Sequence, residues 1–319
     1  MFSDGADAIG EVTRVLITGA SGFIGRATVA AALKAGLEVI AVQRTAKESG
    51  TDVTYVSTDL TVRTAIPTLV DALAGCDAVI HLAAAMSGDP MDHKRLTLGG
   101  TEHVIDAMKQ AGTRHLTLAS SIAVFDVSNV AVGGTLTDDC PLESPTLARD
   151  TYSGAKVRQE QIAKSAQIPS LAILRPGIVY DDTHLWNAHL GVAVGPVLFR
   201  FQADDLLPMC HVDRCAAALV QATVDQVNDT YTVLDRELPP RHAVISTLRQ
   251  TGWPKIVAPL PWRTLWMAAR VLRPISAKLP GLLRENVLRQ RGLPLAHKMK
   301  APIGVETLPN PAPDWGASA

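Results

Sequence analysis

Short apolar runs alternate along the chain with longer segments in which apolar positions recur every three or four residues. That alternation predicts buried strands separated by amphipathic helices, the pattern of a parallel sheet covered on both faces. Val15, Leu16 and Ile17 predict a first strand ending at Thr18, and a helix over 23–35 follows until Gly36 stops it. Strands are predicted at 38–43, 53–57 and 77–82, with a helix over 62–74 between the last two. A long helix over 91–111 leads to a strand at 115–119, and a helix over 152–166 leads to a strand at 171–175. A helix over 211–221 and a last strand at 231–234 complete the alternation. The fold class this predicts is α/β, a doubly wound parallel sheet with helices on both faces.

The turn after the first strand carries the first chemistry. Gly19, Gly22 and Gly25 stand between Thr18 and the first helix in the order Thr-Gly-Ala-Ser-Gly-Phe-Ile-Gly. In a dinucleotide site Gly19 would make the tight turn, and Gly22 would let the backbone approach a pyrophosphate. Gly25 would let helix and strand pack closely. The helix N-terminus would add free N–H groups and a partial positive charge for the phosphates. At the end of the second strand an acid would accept the adenosine ribose hydroxyls of NAD; this chain has Gln43 followed by Arg44. A guanidinium there can pair with the extra phosphate of NADP, so NADP(H) is favoured over NAD(H). Asp59, after the third strand, can accept from an adenine amino group or cap the next helix. Ala83, Ala84 and Ala85 leave room for a cofactor at the end of the fourth strand, while His81 just before them reads as a satisfied core histidine.

The fifth strand runs into Ser120-Ser121-Ile122-Ala123-Val124, and Tyr152-Ser-Gly-Ala-Lys156 opens the next long helix. Tyr and Lys four positions apart share one helix face. A free phenol titrates near 10. A neighbouring ammonium is expected to lower that value and make an acid/base group, with a serine hydroxyl orienting the substrate oxygen.

Taken jointly, several segments resemble the extended short-chain dehydrogenase/reductase family, also called the NAD-dependent epimerase/dehydratase family. They are 18–25, His-Leu-Ala-Ala at 81–84, Ser-Ser-x-x-Val at 120–124, Tyr152-x-x-x-Lys156, Leu-Arg-Pro-Gly-Ile-Val-Tyr at 174–180 and His-Val-Asp at 211–213. The resemblance spans residues 12–233. It implies a Rossmann domain over 12–180 with a return segment at 211–235, and a smaller discontinuous substrate lobe over 181–210 and 236–319. It implies a catalytic triad of Ser121, Tyr152 and Lys156, with Ser121 chosen over Ser120 by its distance from Val124. Cofactor contacts are implied along Gly19, Ser21, Gly22, Phe23, Ile24 and Gly25, at Arg44, Asp59, Leu60, Ala83 and Lys156, and at Pro176 on the nicotinamide side. Thr97, Asp126, Phe125 and Asp181 depart from the residues usual in the family. Ile122 and Ala123 stand where the sugar-nucleotide dehydratases carry an Asp-Glu pair, so elimination chemistry is disfavoured. The expected activity is hydride transfer at a carbinol or carbonyl carbon. Alternatives are a nucleotide-sugar epimerase with the same triad and a non-catalytic NAD(P) sensor or scaffold.

Composition narrows the setting. Of 319 residues 47% are hydrophobic and 19% charged, and the net charge is −1, so nothing points to nucleic acid. Cys76, Cys140, Cys210 and Cys215 include no Cys-x-x-Cys pair, which predicts a reduced, cytoplasmic setting and no metal. Residues 1–11 read as a short irregular lead-in without a signal region. The expected partner is a small-molecule substrate, either a nucleotide sugar or a hydrophobic alcohol or ketone; a homodimer stays open. Pro239 and Pro240 mark a hinge into the last segment, 191–196 reads as an apolar lid, and the Pro-rich tail 307–319 as irregular. In the last segment Trp262, Leu265, Trp266, Ala269 and Leu272 form one helical stripe, with Arg263, Arg270 and Arg273 on another. Ten basic residues (255, 263, 270, 273, 278, 284, 289, 291, 298 and 300) face one acid, Glu285. The plainest reading is a helix closing the substrate lobe, with a peripheral membrane contact or an anionic-substrate site as the alternatives.

Overall fold

Each apolar run of the first part of the chain becomes a strand in the computed structural model. The structure describes residues 11–45, 49–50, 52–86, 88–131, 133–201, 206–272, 274–275, 284–285, 287–288, 296–297, 308–309, 311, 313 and 315. In chain order β1 (Arg14–Thr18), α1 (Phe23–Lys34), β2 (Glu38–Gln43), β3 (Val53–Ser57), α2 (Ala65–Ala72) and β4 (Ala78–His81) come first. A single turn, α3 (Pro90–Asp92), then a π-helical stretch (His93–Gly99) and α4 (Gly100–Ala111) follow, leading to β5 (His115–Ala119). A 3₁₀ turn (Ile122–Val124), β6 (Thr135–Leu136), α5 (Thr151–Ser165) and β7 (Ser170–Pro176) come next. The remaining elements are β8 (Ile178–Tyr180), β9 (Gly191–Val194), β10 (Val197–Phe201), β11 (Met209–His211), α6 (Val212–Val224), β12 (Thr230–Val233), α7 (Arg241–Gln250), β13 (Ile256–Leu260), α8 (Trp262–Val271) and β14 (Ala296–His297).

Seven strands form one sheet in the order β12-β7-β5-β4-β1-β2-β3, every neighbour parallel. The chain winds outward from β1 through β2 and β3, then returns to the other side of β1 through β4. The order therefore reverses between β1 and β4, and a crevice opens beyond their carboxyl ends. Successive residues of a strand enter opposite faces. Leu16, Ile40 and Val79 pack with α2 and α4 through Leu69, Leu73, Val104 and Met108. Val15, Ile17, Val39 and Ile80 pack on the other face with Ala32 of α1 and Leu219 of α6. In the central strands β1 and β4 both faces are dry, and they read as apolar runs.

Two elements differ from the sequence reading. The helix over 91–111 is broken by the π-helical stretch, and Asp89 caps the preceding turn by accepting from the Met91 amide at 2.8 Å. The helix over 62–74 begins only at Ala65, with Thr64 at its N-cap, so Asp59 does not cap it. Its carboxylate instead accepts from the Thr61 amide at 2.9 Å and closes the preceding turn.

Beyond β7 the chain builds what the hydrophobic pattern left as loops. The segment 191–196 is a hairpin of β9 and β10 turning at Gly195 (φ +55°), and β13 adds in parallel to β10. Gly191 at the start of β9 (φ +151°) is required there, because a Cβ would lie 2.1 Å from the Phe199 carbonyl oxygen. A core of Tyr180, Leu190, Leu198, Met209, Val244 and Leu248 joins this sheet to α7. In α8, Leu265, Trp266 and Ala269 pack inward with Phe201, Leu260 and Leu288, and the Arg270 guanidinium lies 5.6 Å over the Trp266 ring. These residues of α8 thus pack on the end of β10 and on β13. The opposite face leaves Met267 and Val271 exposed. The Trp262 side chain, Arg273, Lys278, Arg289, Arg291, Lys298 and Lys300, residues 1–10 of the lead-in and most of the tail 307–319 lie outside the described residues. No helix among the described residues is long and apolar enough to cross a membrane.

One buried ion pair anchors α5 to the sheet. Arg175 of β7 donates from Nε and Nη2 to the two Glu160 oxygens at 2.9 and 2.7 Å, and the Ser120 hydroxyl donates to the same carboxylate at 2.6 Å. Burial pushes the Glu160 carboxyl up, but the hydrogen bonds and charge of Arg175 outweigh it and hold the group below its ordinary value of 4.5. Its stabilising effect is therefore present above the ordinary glutamate range and is lost as pH falls through the lowered folded-state value. Glu160→Ala leaves the Arg175 charge buried without a partner. We expect a loss of about 3–5 kcal/mol in denaturant unfolding at neutral pH, shrinking as pH falls through the lowered folded-state value of Glu160; a cost independent of pH would mean the charge is not what matters.

Candidate active site

The carboxyl ends of β1, β4, β5 and β7 and the first turns of α1 and α5 enclose a cavity of about 610 Å³. At one end lies the glycine turn. Gly19 adopts φ +68°, and a Cβ on it would stand 2.9 Å from the Ala83 amide nitrogen, so the turn can seat against the end of β4 only as glycine. A Cβ on Gly25 would lie 2.1 Å from the Gly19 carbonyl oxygen and 2.9 Å from Ala20. The close approach made by Gly25 is thus to the turn, not to the strand. Gly22 differs: its Cβ would meet only the Gly19 oxygen, at 3.2 Å. It is the N-cap of α1, no side chain caps that helix, and the first amides of α1 have no intrahelical acceptors. Together with Ser21, Phe23 and Ile24 it lines the cavity, a cradle that a pyrophosphate fits.

Arg44 lines the same wall and is exposed. Its loop is held by Gln43 Nε2 donating to the Thr45 carbonyl at 2.9 Å and by the Ser57 hydroxyl donating to the Arg44 carbonyl at 2.9 Å. No described carboxylate forms an ion pair with it. Thr58 and Leu60 line the cavity while Asp59 between them turns away. The Asp59 carboxyl is held below its usual value by the Thr61 amide and hydroxyl and, less strongly, by the Arg44 charge. Ala83 and Pro176 complete the walls at the ends of β4 and β7.

At the other end Ser121, Tyr152 and Lys156 meet. Asp150 caps α5, accepting from the Ser153 amide at 2.8 Å, and so sets Tyr152 and Lys156 on the first two turns, toward the cavity. Ser121 caps the 3₁₀ turn, its Oγ accepting from the Ala123 amide at 3.1 Å, and it lies against the Tyr152 phenol. Ser120 also borders the cavity, but its hydroxyl is committed to Glu160. Lys156, 4% exposed, donates from Nζ to the Ala119 carbonyl at 2.8 Å and to Gln159 Oε1 at 2.9 Å. Burial lowers it to about 8, against which the Glu160 charge works.

The phenol does not follow the sequence expectation. Burial raises the Tyr152 value above 10, the Ser121 hydrogen bond only partly opposing it, and Asp150 raises it further. Burial disfavours the phenolate more than nearby groups favour it, and the Lys156 ammonium is turned to the Ala119 carbonyl and Gln159. At neutral pH Tyr152 is therefore a proton donor.

Sequence reasoning missed three contributors. Arg149 is buried, pairs with Glu143, and donates to the Phe125 and Ala123 carbonyls, fixing the loop that carries Ser121. The ring of His184 lies 4.5 Å from that of Phe23, joining the glycine loop to the second lobe. Gln159 was the third. None has a motif: each works through a fold contact between residues distant in sequence or through a helix neighbour that spacing alone does not single out. His81 is fully buried between Thr18 and Thr101.

Residues 15–180 match the family model described as the NAD dependent epimerase/dehydratase family. The chain is 27% identical over 295 residues to the 4-hydroxy-2-methyl-3-oxo-4-farnesyl-3,4-dihydroquinoline-1-oxide ketoreductase of Stigmatella aurantiaca, covering 86% of this chain and 84% of that protein. It is 29% identical over 181 residues to the UDP-glucose 4-epimerase of Bacillus subtilis, covering 50% and 51%. In solved structures it is similar to MoeE5 in complex with UDP-glucose and NAD, with a TM-score of 0.66, 19% identity and 95% of each chain covered.

The glycine geometry is testable without a substrate. Gly25→Ala should destabilise the protein by about 1–3 kcal/mol through overpacking of the turn and weaken NADH binding measured by fluorescence titration. Gly50→Ala, with open space around it, should stay within about 0.5 kcal/mol of the parent.

Proposed function

Because this chain belongs to the NAD dependent epimerase/dehydratase family, an enzyme family, we propose that it reduces a carbonyl compound, or oxidises the corresponding alcohol, with Ser121, Tyr152 and Lys156 as the working residues. The observation that carries this reading is the convergence of a protonated Tyr152, Ser121 and Lys156 on the cavity that also holds the glycine cradle. The nicotinamide cofactor, when bound, supplies or accepts the hydride. The chain's own groups do the rest. Ser121 hydrogen-bonds the reacting oxygen, and the Tyr152 phenol gives that oxygen its proton as the carbonyl is reduced. Lys156 supplies a fixed positive charge at that end of the cavity and an N–H donor for a ribose hydroxyl. Gly19, Gly22 and Gly25, with Ser21, Phe23 and Ile24, hold the pyrophosphate. Leu60 borders the adenine end, from which the Asp59 carboxylate is turned away, and Ala83 and Pro176 border the nicotinamide end.

Reduction is favoured over epimerisation by the extent of the ketoreductase match, which covers 84% of that protein against 51% of the epimerase. It is favoured also by the apolar wall of Met86, Leu96, Ile122, Ala123, Ile178 and Val179 around the triad, which suits a hydrophobic ketone. Nucleotide-sugar epimerisation with the same triad is the second reading, supported by the epimerase match. Residues 12–180 with 211–235 form the cofactor domain in this proposal, and 181–210 with 236–319 the substrate lobe. For the cofactor, Arg44 supports NADP(H), its guanidinium pairing with the 2′-phosphate.

Tyr152→Phe should lower NAD(P)H oxidation with a panel of hydrophobic ketones by about 10²-fold or more while leaving cofactor affinity unchanged; undiminished turnover would remove Tyr152 from the mechanism, and no turnover of any ketone by the parent protein would revive the sensor role. Arg44→Ala should weaken NADPH binding by about tenfold, roughly the 1.4 kcal/mol of one charge-assisted contact, and leave NADH binding as it was; tighter binding of NADH by the parent protein would reverse the assignment. Reductive turnover should be level below pH 8 and decline above it, because Lys156 loses its charge near 8.

A further inference from the structure

Beyond the triad, Lys156 is tied to a run of buried side chains that no motif contains. Gln159 lies one helical turn after Lys156 and is 1% exposed. Its Oε1 accepts from Lys156 Nζ at 2.9 Å and its Nε2 donates to Thr101 Oγ1 at 2.9 Å. Thr101 spends its own hydrogen on the Thr97 carbonyl, at 2.6 Å. Its oxygen must then accept from His81 Nε2, 2.9 Å away, and His81 must carry its proton on that nitrogen. Nδ1 of His81 is left as an acceptor for the Thr18 hydroxyl at 2.7 Å. The Thr18 oxygen in turn accepts from the amides of Leu82 and Ala83 at 3.2 and 3.3 Å. Every donor in the run finds an acceptor, and reversing Gln159 or His81 sets two donors or two acceptors against each other. Lys156, Gln159, Thr101, His81 and Thr18 are all buried, so water does not offer an alternative partner.

We propose that Gln159 is a positioning residue for Lys156: with Thr101, His81 and Thr18 it forms a polarised, neutral relay that fixes the ammonium and couples it to the end of β4, where the glycine turn is seated. The proposal deepens the reading of Lys156 given above and rests on it. The direction of the relay suits its load. Its oxygen end faces the cation, and its other end gathers the two backbone amides at the floor of the crevice. Neutrality matters too. His81 is held at about 3 by burial and by the Lys156 charge, so it offers no second cation beside the first. The other groups facing Lys156 are the Ala119 carbonyl on β5 and, on α5, Tyr152 and Glu160. Glu160 is itself paired with Arg175 of β7. Gln159 Oε1 is the side-chain acceptor that touches the ammonium; the Glu160 carboxylate acts on it through space.

The test reads Lys156 directly, in cofactor-free protein, by its ¹³Cε and ¹⁵Nζ titration in lysine-labelled samples, the signal assigned by its loss in Lys156→Met. Gln159→Leu removes the acceptor at nearly constant volume. Its midpoint should fall by about one pH unit, a tenfold loss in proton affinity, and its NADH dissociation constant should rise by about tenfold. Gln159→Glu keeps the acceptor and adds charge, so its midpoint should rise. Thr101→Val should move the midpoint in the same direction as Gln159→Leu and by less. An unmoved midpoint in folded Gln159→Leu overturns the proposal. If that variant fails to fold, an unmoved midpoint in Gln159→Glu overturns it. These titrations do not depend on turnover: a Tyr152→Phe enzyme of full activity would remove Tyr152 from the proposed mechanism and leave them untouched.

Discussion

A positive charge buried at the end of β5 is the constraint that most of the site answers to. An ammonium taken out of water costs several kcal/mol unless it is well partnered, and Lys156 is almost fully enclosed. Two uncharged oxygens, from Ala119 and Gln159, meet it directly. The carboxylate that would neutralise it outright, Glu160, is drawn off by Arg175 and Ser120. The charge is thereby kept but not cancelled, and its value of about 8 leaves it protonated at neutral pH with little to spare. A carboxylate in direct contact would have pinned the charge and spent it; an apolar pocket would have discharged it.

That arrangement explains why the legible and the hidden parts of the site divide as they do. The centre of the sheet was readable because burial on both faces writes its strands as apolar runs, as in Val15–Ile17 or Val79–Ile80. The glycine turn was readable because Gly19 and Gly25 exclude a Cβ by close contact, so sequence and sterics speak of the same atoms. Tyr152 and Lys156 could be paired because four residues make one helical turn. The direction of the tyrosine's shift could not be read. It depends on how deeply α5 sits and on where the Lys156 ammonium points, and both are set by contacts with β5, β7 and α4. Asp59 was open for a related reason: an Asp before a helix and an Asp closing a turn look alike until the first helical residue is known.

The second lobe was the least legible part, and its chemistry says why. Its strands are short and partly exposed, as in β9, four residues long, and β13, five. Register comes from pairing with distant segments, as when Val197 meets Ile256 in parallel and Val194 in antiparallel. A helical stripe was visible in α8, yet only contact shows that Leu265, Trp266 and Ala269 turn inward on Phe201. The apolar part of the cavity wall lies instead beyond the ends of β4, β5 and β7, the last continuing into β8. Met86, Ile122, Ile178 and Val179 offer an incoming molecule no charge to pair with.

The two tuned groups then make a consistent pair. Tyr152 is held above its ordinary value and Lys156 below it, in each case chiefly by burial, which penalises whichever form is charged. The penalties act in opposite senses on the proton: the phenol keeps its own more firmly, while the ammonium gives its own up more readily. A phenol of this kind is a donor waiting for an oxygen that becomes strongly basic, and a carbonyl oxygen becomes so only as hydride reaches its carbon. In the proposed reduction, proton delivery is thereby tied to hydride transfer instead of preceding it, with Ser121, hydrogen-bonded toward the phenol, placed to support the phenolate left behind. In the proposed reduction Lys156 brings a fixed positive charge to that end of the cavity, and Ala119 and Gln159 keep the ammonium where it is. The geometry of an uncharged amide one helical turn away thus bears on a proton transfer in which it takes no direct part.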